Sequence, residues 1–446
     1  MRASPFFLPL ARRVCPHAEE RIILRLWNEG FRRKLWNYLW VEFLIARGSA
    51  RLWGGKPYWL TVDPTNFCQL HCPFCPTGAN RGVRSKAEMT VEHFRRLMDR
   101  LGPTLVHVDM INWGESILHK GLPDMIAAAK AHGAYVKLDA NLNDMPPGTP
   151  ERLVRSGLDL LSVSIDGLSQ ETYEAYRVGG RLEKVLANLR EIVAKRSELR
   201  SATPWIRWQF LVFKHNEHEA GRVAEFARAV GVDHADVTPA SIPGDAGYLW
   251  EWLPRDPRYQ RYALPDAAPP AAETERARTS AHVKKTPSSL AFHARRHRPS
   301  HLFGLRSAAA GAARVRSLED AVFLLRRYRE LARDVLRRRA GAAAPAAGTL
   351  CKWPWAGMAV NPNGSVSPCC SIESENDDLG NVFAQTWSSL WNGRAYRAAR
   401  RHVARYSRGR TGVRAGSDHV CERCTIIGRA NFEFPREPGR DRPADA

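Results

Sequence analysis

Over residues 19–47 (EERIILRLWNEGFRRKLWNYLWVEFLIAR) apolar side chains return every three or four positions, at Ile23, Trp27, Phe31, Leu35, Leu39 and Phe43. That period predicts one long helix, or two helices broken at Gly30. The stripe is expected to pack against the rest of the protein or a second subunit; a Trp-rich, basic face lying on a membrane surface is the alternative. From Tyr58 to about Thr238 the pattern changes. Short apolar runs at 58–63, 105–111, 134–140, 160–165, 205–213 and 232–237 alternate with helical stretches near 90–101, 121–132, 150–156, 170–199 and 217–230. Six strand–helix repeats with continuously apolar strands predict an α/β fold: a parallel sheet covered by helices and curled into part of a barrel. Reactive groups in such sheets sit at the carboxyl ends of strands, so the loops that follow the strands are where chemistry is sought.

Beyond residue 239 the repeat stops. Residues 240–349 place Pro- and Ala-rich stretches around a basic run, HARRHRPSH, and a helix-like stretch at 317–339 with Ser317 as its N-cap. This reads as a partly disordered insertion between two functional halves. From Leu350 on, Cys, Gly and Trp return. The expected division is a basic helical segment at 1–56, the barrel at 57–239, the insertion at 240–349, a compact cysteine-ligated module at 350–428 and a tail at 429–446.

Composition narrows the function classes. With 446 residues, of which 44% are hydrophobic and 9% aromatic, the chain can bury two or three domain cores and is not a disordered protein. No apolar run approaches the roughly 18 residues of a membrane span, and the opening MRASPFFLPLARRVCPH does not read as a secretory signal. The net charge of +21 is unevenly placed: +6 over 1–51, −2 over 52–275, +13 over 276–339, −3 over 340–393 and +7 over 394–446. A near-neutral centre argues against nucleic acid as the partner and for a basic docking surface outside the barrel. Nine cysteines, odd in number and clustered, point to thiolate ligands in a reducing, cytoplasmic setting rather than to disulfides; Cys15 stands apart as an ordinary thiol.

TNFCQLHCPFCPTG places Cys68, Cys72 and Cys75 at C-x3-C-x2-C in the loop after the first strand. Three thiolates this close can hold three corners of a cubane and leave the fourth iron open. Zinc would need a fourth protein ligand; His71 stands at the wrong spacing, and no fourth cysteine is near. Here the sequence resembles the radical S-adenosylmethionine (SAM) superfamily, whose signature has this spacing with an aromatic residue, Phe74, before the third cysteine. The resemblance implies a partial (β/α)6 radical SAM barrel and a 4Fe-4S cluster with SAM at the open iron. It also matches Gly114 and Glu115 of NWGES to the segment binding the SAM amino group, with Trp113 in place of a first glycine, and Asn141 of LDANLN to the SAM ribose. Ser164 and Arg177 are matched to the SAM carboxylate, where an arginine suits a bidentate contact, and Gln209 either lines the site or packs in the core.

CKWPWAGMAVNPNGSVSPCC and the later CERC set Cys351, Cys369, Cys421 and Cys424 as two pairs, which suit either zinc or a complete four-iron cluster. The pattern, with DLGNV and LWNGRAY between the pairs, resembles the SPASM domain and implies one auxiliary 4Fe-4S cluster. Cys370 leaves the choice of ligand open between adjacent thiols. If Cys369 ligates, Cys370 is either a hydrogen-atom donor facing the substrate or a buried structural thiol.

The resemblance implies reductive cleavage of SAM to a 5′-deoxyadenosyl radical, and hydrogen abstraction from a small molecule or sugar that is oxidised or epimerised. The alternative is a maturase of a ribosomal peptide or protein, set second because residues 1–56 lack the three-strand signature of a leader-recognition domain. A non-catalytic basic scaffold holding iron–sulfur or zinc is a third reading. A flavodoxin or ferredoxin is the expected electron donor.

Overall fold

The computed structural model describes residues 14–15, 18–79, 84–242, 246–260, 350–408 and 418–424. The six expected strands form in order: β1 (Trp59–Val62), β2 (His107–Asp109), β3 (Tyr135–Ala140), β4 (Leu160–Ser164), β5 (Trp205–Val212) and β6 (His234–Pro239). Each pairs in parallel with the next, with helices between them. Local signals set the helix ends. The Thr90 hydroxyl accepts from the His93 N–H at 3.1 Å, and Ser169 and Thr172 form a capping box at the start of Gln170–Tyr176. The helical stretch expected over 170–199 is two helices, Gln170–Tyr176 and Leu182–Glu198, because the chain turns at Gly179, whose φ of +82° suits glycine.

The sheet does not stop at β1. Strand β7 (Gly357–Val360) pairs in parallel with the free edge of β1, and β8 (Val366–Ser367) pairs antiparallel with β7, giving the order β6-β5-β4-β3-β2-β1-β7-β8. The cysteine-rich segment expected after the barrel is thus joined to it by backbone hydrogen bonds.

The strands are not continuously apolar, as expected, but two-faced. Leu60, Val108, Val136, Leu138, Leu161, Val163, Ile206, Trp208 and Phe210 are buried. The alternate positions carry Asp109, Lys137, Asp139, Arg207 and Asp236, partly exposed and linked as ion pairs, with Lys137 Nζ 2.6 Å from Asp139 and Arg207 3.5 Å from Asp236. A closed sheet would bury both faces; a partial barrel leaves its inner face wet, and alternation follows from the period of two.

The first segment is two helices, Glu20–Asn28 and Arg32–Ala46, broken at Gly30, whose φ is +74°. Ile23, Leu35, Leu39 and Phe43 join the common core, so the stripe packs inward; Trp27 stays exposed. Glu42, fully buried, accepts from the Tyr58 hydroxyl at 2.5 Å and from Lys352 Nζ at 3.0 Å, tying this helix to β1 and to the neighbour of Cys351. Among the described residues no helix is long and apolar enough to cross a membrane. The helix expected at 317–339, the insertion from 261 onward and the tail at 429–446 lie outside the described residues.

Arg400, in the helix Arg394–Tyr406, is fully buried without a carboxylate partner in hydrogen-bond contact among the described residues. It donates to the carbonyls of Pro354 (2.8 Å), Trp391 (2.8 Å) and Ala50 (3.3 Å), and its guanidinium lies 4.5 Å from the Trp391 ring centre. One side chain thus satisfies carbonyls from the amino-terminal and carboxy-terminal segments together. Arg400→Ala is expected to destabilise the protein by about 3 kcal/mol in urea denaturation, because buried carbonyls lose their donors and a cavity opens.

Candidate active site

The loop after β1 folds back on itself. The Cys75 N–H donates to the Cys72 carbonyl at 3.2 Å, the Ala79 N–H to the Cys75 carbonyl at 2.8 Å, and a Cβ on Gly78 would stand 2.6 Å from the Cys72 nitrogen. Cys68, Cys72 and Cys75 are brought together as electrostatic neighbours. Burial pushes the Cys68 thiol up to about 12, helped by the negative charge of Glu115 and by the other two thiols. Burial also pushes Cys72 up, against the pull of Arg177. Thiols held neutral in this way release their protons readily only when a cationic group takes the protons' place.

Phe74 sits in an aromatic cluster, with ring centres 5.2 Å from Trp252, 5.6 Å from Tyr176 and 6.1 Å from Phe213. Trp252 ends the helix Ala246–Trp252, and Leu249 and Leu253 are buried in the same cluster. The first part of the expected insertion is therefore folded over the cysteine loop. Its apolar residues find a partner surface there that the surrounding Pro- and Ala-rich composition did not suggest.

Asp63, fully buried at the end of β1, accepts the backbone N–H groups of Trp113 (3.1 Å) and Gly114 (3.2 Å). Burial pushes its carboxyl up to about 6, and those N–H groups pull it partly back. A Cβ on Gly114 would lie 1.8 Å from the Thr65 carbonyl oxygen, so only glycine fits this approach. Next to it Glu115 is buried; its Oε2 accepts the Asn141 N–H at 2.9 Å, while Oε1 has no hydrogen-bond partner among the described residues. Burial pushes this carboxyl up to about 7, partly offset by the N–H groups of Asn141 and Ile117. Asn141 also reaches the cysteine loop: its Oδ1 accepts from Gln69 Nε2 at 3.0 Å and its Nδ2 lies 3.8 Å from Cys68 Sγ.

Ser164 and Gln209 are partners in register across β4 and β5, both partly buried. Arg177 is not a surface residue. Its Nε donates to Asp166 at 2.6 Å, and its Nη1 lies 3.9 Å from Cys72 Sγ. Asp166 is fully buried and also accepts the Leu211 N–H at 2.7 Å. Asp63 and Asp166 were both missed from sequence, although Asp63 ends the strand run YWLTVD and Asp166 directly follows the run in SVSIDG.

At the other end of the sheet, Cys351, Cys369, Cys421 and Cys424 share one neighbourhood. Burial pushes Cys351 up to about 12, with Cys424 and Cys370 adding to it; Cys369 is pushed up by burial, then by Cys370, Cys351 and Cys421, and Cys421 by burial, Cys351 and Cys424. Burial raises Cys370 to about 11, and it feels the charges of Asp109 and Lys137 on β2 and β3. Among the described residues no three or more His, Cys, Asp or Glu side chains are drawn together as a single metal ion would require. The residues nonetheless fit a SAM-binding cluster: three adjacent thiols, a glycine-only approach, and a buried carboxylate oxygen still lacking a donor.

The raised carboxyl of Glu115 has a stability consequence. In the folded protein it holds its proton to higher pH than in the unfolded chain, so it favours folding most below its usual range of about 4.5, and that contribution is lost as pH rises to about 7. Glu115→Gln of the metal-free protein should therefore gain stability relative to the parent between pH 5 and 8, by on the order of 2 kcal/mol in paired denaturation curves.

Comparison with known proteins agrees with this arrangement. Residues 62–203 match the model of the radical SAM superfamily, and residues 351–425 match SPASM, an iron-sulfur cluster-binding domain. The chain is 24% identical over 200 residues to the PqqA peptide cyclase of Granulibacter bethesdensis, covering 45% of this chain and 50% of that protein. It is 26% identical over 176 residues to the AdoMet-dependent heme synthase of Methanosarcina barkeri, covering 39% of this chain and 48% of that one. Thus the chain spans about half the length of the curated relatives it matches. Among solved structures, Streptococcus suis SuiB bound to the precursor peptide SuiA aligns with a TM-score of 0.48 at 14% identity, over 82% of this chain and 71% of that one. The chain thus contains a radical SAM domain over residues 62–203 and, at its carboxy-terminal side, a SPASM domain over residues 351–425.

Proposed function

We propose that the protein is a radical SAM enzyme that modifies a peptide or protein. The observation that carries the SAM reading is the unpartnered Glu115 oxygen beside the Gly114 approach and the three thiols. When bound, the cluster and SAM supply one-electron cleavage of SAM and abstraction of a hydrogen atom from an unactivated C–H bond. Cys68, Cys72 and Cys75 would hold that cluster. Glu115 would take the SAM amino group, Asn141 the ribose, and Ser164 with Arg177 the carboxylate. Asp166 fixes the guanidinium of Arg177. The cluster of Phe74, Tyr176, Phe213 and Trp252 keeps water from the cysteine loop. Cys351, Cys369, Cys421 and Cys424 would hold one auxiliary 4Fe-4S cluster.

For the substrate, a peptide or protein replaces the small molecule or sugar expected from the sequence. That expectation rested on the first 56 residues, whose described helices are part of the core and carry no weight against peptide recognition elsewhere. The match to the PqqA peptide cyclase supports a peptide. The electrostatic influence of Asp109 and Lys137, on the wet face of the sheet, on Cys370 supports a redox-neutral outcome. Its thiol would give a hydrogen atom to a substrate carbon radical, and one electron and one proton from the reductant would restore it.

Anaerobic reconstitution should give about eight irons per chain and reductant-dependent 5′-deoxyadenosine. Replacing Cys68, Cys72 and Cys75 together should leave about four irons and no SAM cleavage; bound zinc without cleavage would sink the enzyme reading. Cys370→Ala should hold its iron and still cleave SAM while product stalls. Unaltered product formation rejects the donor role.

A further inference from the structure

Trp113 stands where the family pattern has a glycine, and the structure gives it a task. Its indole N–H donates to the Ile372 carbonyl at 3.0 Å. The same carbonyl accepts from Arg84 Nη2 at 3.2 Å. Ile372 lies two residues after Cys370, and Trp113 two residues before Glu115, so one backbone oxygen joins the segment after Cys370 to the loop that carries Glu115.

Arg84 anchors that joint. Its guanidinium grips Asp378 with two bonds, at 2.8 and 3.0 Å, and donates to Ser367 Oγ at 3.1 Å and the Ser374 carbonyl at 3.3 Å. Its side chain and that of Asp378 are each only 7% exposed, so the pair is rigid and little screened. On its other side it acts electrostatically on Asp63, the carboxylate that holds the Trp113 and Gly114 N–H groups. Ser85 adds a second tie, its N–H and hydroxyl bonding the Glu375 carboxylate at 3.0 and 3.2 Å.

We propose that Arg84 and Trp113 are positioning residues through which the carboxy-terminal cysteine module sets the Trp113–Gly114–Glu115 loop, so that SAM affinity at the first cluster depends on the order of residues 369–378. The inference rests on the SAM reading of Glu115 given above. A loop with little freedom around Gly114 transmits a displaced Ile372 carbonyl to the Glu115 carboxylate two residues away, because Thr65 leaves no space for relaxation.

The test uses the reconstituted full chain and radiolabelled SAM in anaerobic equilibrium dialysis, with the electron paramagnetic resonance of the reduced cluster as a second readout. Trp113→Phe, which removes only the indole N–H, and Arg84→Gln should each weaken SAM binding about five-fold or more at unchanged iron content, and reduce the SAM-induced change in the spectrum. Their effects should be less than additive in the double variant, since both act through one carbonyl. In the metal-free chain, amide hydrogen exchange over 112–116 should speed up in both, and this readout together with Trp113→Phe carries the test if Arg84→Gln folds poorly. SAM affinity within two-fold of the parent in Trp113→Phe, or unchanged exchange in that loop, overturns the proposal. Parent protein that assembles no cluster or binds no SAM would instead overturn the reading of the site itself.

Discussion

The parallel pairing of β7 with β1 is the constraint on which the rest depends. β1 is four residues long, with β2 on one edge and β7 on the other. Both strands run the same way, so the loop bearing Cys68, Cys72 and Cys75 and the turn after β7 emerge at the same end of the sheet, and the antiparallel β8 then carries the chain back toward Cys369 and Cys370. The Asp63 N–H even donates to the Val360 carbonyl at 3.0 Å, carrying the ladder past the end of β1. Without this edge pairing the two cysteine groups would have no fixed relation, and the bonds from Arg84 and Trp113 to 367–378 could not form.

Around that joint the protein buries groups that prefer water. Asp63, Glu115 and Asp166 are all at or near full burial, and each is pushed above the ordinary carboxylate range chiefly by desolvation. Backbone N–H donors and Arg177 offset only part of the cost. A fold selected for stability alone would place apolar residues there. Ionisable groups retained against that cost, beside thiols kept neutral by the same burial, support the ligand-binding reading proposed above. The inner face of the sheet repeats the theme, with Asp109, Lys137, Asp139 and Arg207 left partly wet in the open barrel.

Much was legible in the sequence because it is encoded locally. Strand runs and helix stretches follow from side-chain period, the Gly30 break from a residue that tolerates positive φ, and the C-x3-C-x2-C loop from spacing within eight residues. Gly114 and Glu115 stood out because NWGES, after the second strand, resembles the family's segment for the SAM amino group. What escaped were residues whose importance lies in a distant partner. Arg84 meets Asp378, Trp113 meets Ile372, Trp252 meets Phe74, and Asp166 has value through Arg177; no period or motif connects these positions.

The sequence by itself determined the order of the strand–helix repeats, the two cysteine groups and the resemblance of their segments to radical SAM and SPASM domains, since each rests on residues close together in the chain. Only the tertiary structure decided that the carboxy-terminal segment continues the barrel sheet, that the strands are charged on their inner face, and that Cys370 feels Asp109 and Lys137 while it and Cys369 both neighbour Cys351. The reason is physical. Backbone periodicity is set by steric rules within a few residues, whereas sheet-edge pairing, desolvation and ion-pair geometry depend on which surfaces meet once the chain has closed.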